Sequence, residues 1–297
     1  MAVLEQGIWY PNKNANELDH EDQFALPETV VAGRYHLYMS LACPFAHRPY
    51  LVINYLGLDE AISVSSVAAK RYNDGWEFDT EHADPIYGRP KLADLYLKAK
   101  PDYTGVVSVP VLWDKETQQI AGNDSAAMAM DLATRWLPLA KHPVELVPAA
   151  QREVIETLNT WLHANVNRKV YQVGFATDQA TYDEASESLF AALETLDARL
   201  SQSKYLFGEQ VTLSDLFLLP TLVRFEAVYE VHFKANKKPL RAFTHLYRYM
   251  RELVADPRIR STLDIEYMKQ HYYFSHKHIN LTALYRQGRS LTGYECE

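Results

Sequence analysis

The pattern of the chain changes once, and the change falls at a proline-bearing stretch, "LPLAKHPVELVP" (137–148). Before it, short alternating segments and helical segments take turns. After it, apolar residues recur at helical spacing almost throughout. Such a chain is constrained to fold as an α/β unit followed by an all-α unit. With 297 residues, each unit can bury a core of its own. The expected boundaries are an N-terminal extension at 1–33, polar and irregular; an α/β domain at 34–137; a linker at 138–148; and an all-α domain at 149–297 with an irregular aromatic tail.

In the first domain, "RYHLYMSL" alternates as a strand does, and "FAHRPYLVINYLGL" carries apolar residues at helical spacing with Gly57 as its stop. "AISVSSVA" reads as a second strand and "VVSVPVLWD" as a third, interrupted by Pro110. A turn at "KETQ" leads to a short fourth strand, "QIAG". "NDS" then opens an alanine-rich helix. Between the second and third strands lies a long polar insertion, about 70–102, in which "PKLADLYLKAK" reads as an amphipathic helix. In the second domain, Thr212 and Asp215 of "TLSDL" have the spacing of a capping box.

Only two cysteines are present, too few for a disulfide framework. The start of the chain lacks the basic and apolar regions of a secretory signal, and the longest apolar stretch, "LFLLPTLV", is too short to span a bilayer. These features lead us to expect a cytoplasmic protein with reduced thiols. A net charge of −8 argues against binding of nucleic acid or anionic membrane.

Cys43 stands where a strand gives way to a helix. The first N–H groups of a helix lack intrahelical acceptors and carry the positive end of its dipole, so a thiolate placed there is stabilised and nucleophilic. His47 and Arg48 follow closely and can add positive potential. The competing reading is a small buried apolar residue, common for a lone cysteine. The strand–Cys–Pro–helix order, the later Val-Pro strand and the helix start at "NDS" together describe a thioredoxin-like unit. Three residues on, where many such motifs carry a second cysteine, stands Ala46. Without a neighbouring resolving thiol, an external thiol must release any mixed disulfide, and glutathione is the default cosubstrate. Cys296, next to last, reads as an unpaired terminal thiol, with a role as resolving partner the alternative. The histidines at 271, 276 and 278 read as a packing or solvated cluster, and no metal site is expected.

"GRYHLYMSLACPFAHRPYLV", "GWEFD", "DPIYG", "SVPVLWD", "LFGEQVTLSDL" and "HYYFSHKHIN" resemble the glutathione transferase superfamily, and within it the glutathionyl-hydroquinone reductases, or Xi class. The resemblance runs from about residue 24 to about residue 280. It implies a thioredoxin-like domain followed by the superfamily's helical domain, and a homodimer. It implies that Cys43 attacks the sulfur of a glutathionyl-hydroquinone, and that a second glutathione resolves the mixed disulfide, with no tightly bound cofactor. It assigns Trp76, Val109, Pro110 (in the cis state), Asp124 and Ser125 to glutathione. It assigns Tyr171, Tyr229 and Tyr272 to the hydroquinone. The chain departs from the family at Phe45, where tryptophan is usual, and at Val106, where a basic residue is expected. Two alternatives stand beside this reading. One is an omega-like thiol transferase or dehydroascorbate reductase using the same cysteine. The other is a non-catalytic binding protein on the same fold.

Overall fold

The computed structural model describes residues 3–11, 13 and 24–285. It consists of two compact units, Met1–His142 and Pro143–Glu297. The division falls within the proline-bearing stretch 138–148.

The first unit is built on a mixed four-stranded sheet. Its strands are β3 (Tyr35–Met39), β4 (Ile62–Ser66), β6 (Val111–Asp114) and β7 (Gln119–Ile120), in the order β4-β3-β6-β7. Strand β3 pairs parallel with β4 and antiparallel with β6. As an inner strand it buries all five of its residues. The parallel pair requires a crossover, and α1 (Pro44–Leu56) supplies it. That helix stops at Gly57, whose left-handed φ of 66° lets its N–H bond back to Asn54. Helix α3 (Ser125–Thr134) packs beside α1. The insertion holds one short helix, α2 (Ala93–Ala99).

The N-terminal segment departs from the expectation of an irregular extension. Strands β1 (Val3–Glu5) and β2 (Ile8–Tyr10) form a hairpin, and β1 pairs with β5 (Gly105–Val106) in a second, antiparallel sheet. Gln6 and Gly7 turn the hairpin, both at positive φ. The segment "VVSVPVLWD" is thus split between two sheets, Val106 ending β5 and Val111–Asp114 forming β6, with residues 107–110 outside both.

The second unit is helical. Its elements include α4 (Arg152–Leu162), α5 (Lys169–Phe175), α6 (Gln179–Leu200), α7 (Leu213–Arg224), α8 (Glu230–His232), α9 (Thr244–Ala255), α10 (Pro257–Arg260) and α11 (Ile265–Ser275). Single π-turns, His163–Asn167 and Phe225–Tyr229, follow α4 and α7. Asp215 is fully buried. It accepts hydrogen bonds from the Thr212 and Leu206 N–H groups at 2.7 and 3.0 Å and from the Tyr249 hydroxyl at 2.9 Å. The capping box therefore also ties α7 to α9. The segment from His271, expected to be irregular, is helical as far as Ser275. Asp264 caps α11 by accepting from Tyr267 N–H at 2.8 Å, and Ile265, Met268 and Tyr272 bury one face.

His36, 1% exposed, lies between the hydroxyls of Ser63 and Ser65, each 2.8 Å from a ring nitrogen. Burial lowers its pKa from 6.5 to about 4. As pH falls, the unfolded chain takes up this proton first, so the stabilisation is complete above about pH 6.5 and is lost towards pH 4. Denaturant titrations at pH 7 and pH 5 should show His36→Gln removing about 2 kcal/mol of the pH-dependent loss, as follows from 1.36 kcal/mol per pKa unit. An identical loss in the variant would contradict this assignment.

Candidate active site

Strand β3 delivers the chain to Cys43, whose N–H bonds to the Ser40 carbonyl at 3.0 Å. Cys43 is the N-cap of α1, in extended conformation, and Pro44 follows where a missing N–H costs nothing. The Ala46 N–H donates to Cys43 Sγ at 3.4 Å, and Sγ lies 3.9 Å from the Val109 carbonyl oxygen. Ala42, Pro44 and Ala46 are buried, while Cys43 itself is only partly covered. Negative charge on this sulfur is favoured by the N–H it accepts and by the dipole of α1.

Two guanidinium groups add to that preference. Arg48 is 2% exposed and lies over the Phe45 ring, 5.1 Å from its centroid. Burial lowers its pKa to about 10, and negative charge on Cys43 and Asp124 works in the opposite direction. Arg71 lies over the Trp76 ring at 4.8 Å. Burial lowers its pKa as well, again opposed by charge on Cys43. Coulombic coupling is mutual, so both cations favour the thiolate they sense. Sequence reasoning named Arg48 but missed Arg71, which reaches this neighbourhood only through the fold of the insertion. His47 is completely buried.

The remaining residues of the first unit assigned by resemblance are placed as follows. The Val109–Pro110 peptide is cis. Trp76 is 7% exposed, and its carbonyl accepts from Leu92 N–H at 2.8 Å. Asp124 caps α3, accepting from Ala127 N–H at 2.7 Å, and Ser125 is the first residue of that helix. Both departures from the family pattern have local partners. Phe45 is the surface on which Arg48 rests, and Val106 pairs with Val3 and packs against it.

In the second unit the three tyrosines come together. The Tyr171 and Tyr272 hydroxyl oxygens are 2.5 Å apart, and those of Tyr229 and Tyr272 are 3.1 Å apart. Tyr171 comes from α5, Tyr229 from the π-turn after α7, and Tyr272 from α11. π-turns recur at functional sites because they re-aim a side chain without ending the helix. Burial raises the Tyr272 pKa well above the usual range, with Tyr229 adding to the effect. Tyr272 therefore keeps its proton at neutral pH. Tyr273 points elsewhere, its hydroxyl 3.5 Å from the Ala227 carbonyl.

Sequence reasoning missed Phe233 and His232 in the aromatic wall of this cluster, while it read His276 as part of a packing or solvated cluster. Phe233 stacks on Tyr229 with ring centroids 5.2 Å apart, and His276 lies 5.4 Å from Tyr272. His232 and His276 share a hydrogen bond of 3.1 Å. Burial, with His278 and Lys234 contributing, lowers the pKa of His232 to about 4. Cys296 lies outside the described residues.

Arg48→Met removes a buried cation and keeps the volume, a change that folded proteins often tolerate. We expect it to slow alkylation of Cys43 by iodoacetamide at neutral pH by about ten-fold, the effect of roughly 1.4 kcal/mol of lost Coulomb stabilisation. An unchanged rate in a variant of normal melting temperature would remove Arg48 from the account.

Residues 42–135 match the family model described as "Glutathione S-transferase, N-terminal domain", and residues 179–252 match "Glutathione S-transferase, C-terminal domain". The glutathionyl-hydroquinone reductase YqjG of Escherichia coli is 41% identical over 255 residues, covering 84% of this chain and 78% of its own length. The glutathionyl-hydroquinone reductase PcpF of Sphingobium chlorophenolicum is 38% identical, covering 85% of this chain and 82% of its own length. Among solved structures, the Xi-class glutathione transferase of Natrialba magadii superposes with a TM-score of 0.95 at 35% identity, covering 100% of this chain and 95% of that one. The glutathione-bound structure of E. coli YqjG gives a TM-score of 0.88 at 36% identity, covering 95% and 94%. The chain belongs to the Xi class of the glutathione transferase superfamily, the family of the glutathionyl-hydroquinone reductases.

Proposed function

We propose that this protein reduces glutathionyl-hydroquinones to hydroquinones at the expense of glutathione, with Cys43 as the nucleophile. The Cys43 thiolate attacks the sulfur that joins glutathione to the ring. A sulfur–sulfur bond forms, the ring carbon–sulfur bond breaks, and its electron pair leaves with the ring, whose carbon ends with a proton. A second glutathione thiolate then attacks the mixed disulfide and releases glutathione disulfide and the Cys43 thiolate. One glutathionyl-hydroquinone and one glutathione thus yield one hydroquinone and one glutathione disulfide.

Glutathione recognition falls to Trp76, the Val109 backbone beside Pro110, and the start of α3. The Ser125 hydroxyl and helix N–H groups suit a carboxylate, and the Asp124 carboxylate suits an ammonium group. The linked hydroxyls of Tyr171, Tyr229 and Tyr272 together offer a hydrogen-bond donor to the quinol oxygen as negative charge builds on it during ring departure. The observation that carries this reading is the hydroxyl chain Tyr171–Tyr272–Tyr229. A general thiol transferase has no use for three converged phenols, and the reductase does.

Glutathione serves as a cosubstrate, with no tightly bound cofactor. We read the protein as a cytoplasmic homodimer, in keeping with its family resemblance, and as a protein that binds neither nucleic acid nor membrane. Its net charge of −8 repels polyanions. Among the described residues no helix is long and apolar enough to cross a membrane.

The test is steady-state release of hydroquinone from a glutathionyl-hydroquinone in the presence of glutathione. Cys43→Ser should reduce turnover to background. Tyr272→Phe should lower kcat by about a hundred-fold, the effect of losing one preorganised donor. Full activity in Cys43→Ser would refute the mechanism. Disulfide exchange without carbon–sulfur cleavage would point to the omega-like reading.

A further inference from the structure

We propose that the N-terminal hairpin β1–β2 is a positioning strap for the segment that carries Arg71 and Trp76, and that Trp9 is its positioning residue. The proposal rests on the glutathione reading above and adds a determinant of thiol affinity outside the binding residues.

The hairpin is fixed at its own turn. Beyond its pairing with β5, Gln6 N–H donates to Thr104 Oγ1 at 2.9 Å and Gly7 N–H to the Tyr103 carbonyl at 3.1 Å. Gly7 has φ of 75°, and a Cβ there would lie 2.2 Å from the Pro101 carbonyl oxygen, so the turn is pressed onto the chain that leads into β5. Ion pairing of Lys13 with Glu5 adds a further tie.

From this anchored turn, β2 reaches the insertion. The Trp9 indole N–H donates to the Asn73 carbonyl at 3.0 Å. Asn73 sits in a tight turn, closed by the Tyr72–Gly75 bridge and by Gly75 N–H bonding to the Tyr72 carbonyl at 3.2 Å. Arg71 precedes that turn and Trp76 follows it, with the guanidinium stacked on the indole. The base of the segment is held by Leu92 N–H on the Trp76 carbonyl and Ala68 N–H on the Glu77 carbonyl, both at 2.8 Å. Trp9 holds its tip. The same hairpin pairs with β5, a few residues before Val109. One element therefore braces two of the three stretches of chain assigned to glutathione, the turn before Trp76 and the strand before Val109. Removing the Trp9 tie loosens the turn, so binding must first order it, and affinity falls by that cost.

Trp9→Phe keeps an aromatic ring and removes the donor. Isothermal titration with glutathione, in a Cys43→Ser background that blocks covalent chemistry, should show the dissociation constant rising about five-fold, the effect of one neutral hydrogen bond. In the protein with Cys43 intact, the KM for glutathione should rise similarly, while kcat at saturating glutathione and the melting temperature hold. Amide exchange at 71–76 should quicken. Ile8→Thr, at an exposed site on the same strand, should change none of these. An unchanged dissociation constant and unchanged exchange in Trp9→Phe would overturn the strap and leave the glutathione reading intact. A proportionate fall in kcat, affinity and melting temperature would overturn it too, as that pattern marks general destabilisation. Failure of the Cys43→Ser parent to bind glutathione would overturn both readings.

Discussion

The chemistry of the first unit depends on where α1 begins. A helix that starts immediately after a strand leaves its first N–H groups facing outward, and the residue at the cap takes the benefit. Here that residue is a cysteine, and its sulfur accepts the Ala46 N–H. The other features of the unit reinforce or frame this contact. Arg48 lies on the same helix, shielded by Phe45, and Arg71 arrives from the insertion, stacked on Trp76. Pro110 brings the Val109 carbonyl alongside the sulfur. Buried cations are costly unless something negative answers them. The thiolate and Asp124 are the negative groups that Arg48 senses.

The second unit solves a different problem. Three phenols held by three separate segments must converge, and convergence of polar groups in a buried place is favourable only when each is satisfied. The hydroxyl chain accomplishes this for Tyr171, Tyr229 and Tyr272. Its central member, Tyr272, is almost fully buried and remains protonated. Such a chain resists ionisation and can offer a donor to an incoming oxygen. That property suits a reaction in which negative charge develops on a quinol oxygen.

Much of this was legible in the sequence because it rests on local signals. Strand β3 alternates, Pro44 opens α1 and Gly57 ends it, so the position of Cys43 follows from neighbouring residues alone. The tyrosines were legible only through family motifs, since nothing local separates Tyr272 from Tyr273. Features built from distant segments were not legible. Strands β1 and β2 have three residues each, and β1 finds a further partner in β5, about a hundred residues away. A Gln-Gly turn between short apolar runs was the available signal for that hairpin. Arg71 gave no signal, because its value depends on how a long insertion folds. Helix α11 had one in the spacing of Ile265, Met268 and Tyr272, obscured by its aromatic composition.

The central claim is that Cys43 takes glutathione directly from the aryl thioether. The most direct test is a single turnover without free glutathione. The protein is mixed with one equivalent of a glutathionyl-hydroquinone, quenched in acid, and its peptides are mapped by mass spectrometry. The account predicts one hydroquinone released per protein and one glutathione in disulfide linkage on the peptide bearing Cys43. Hydroquinone release with Cys43 unmodified, or modification of Cys43 with the aryl thioether left intact, would contradict it.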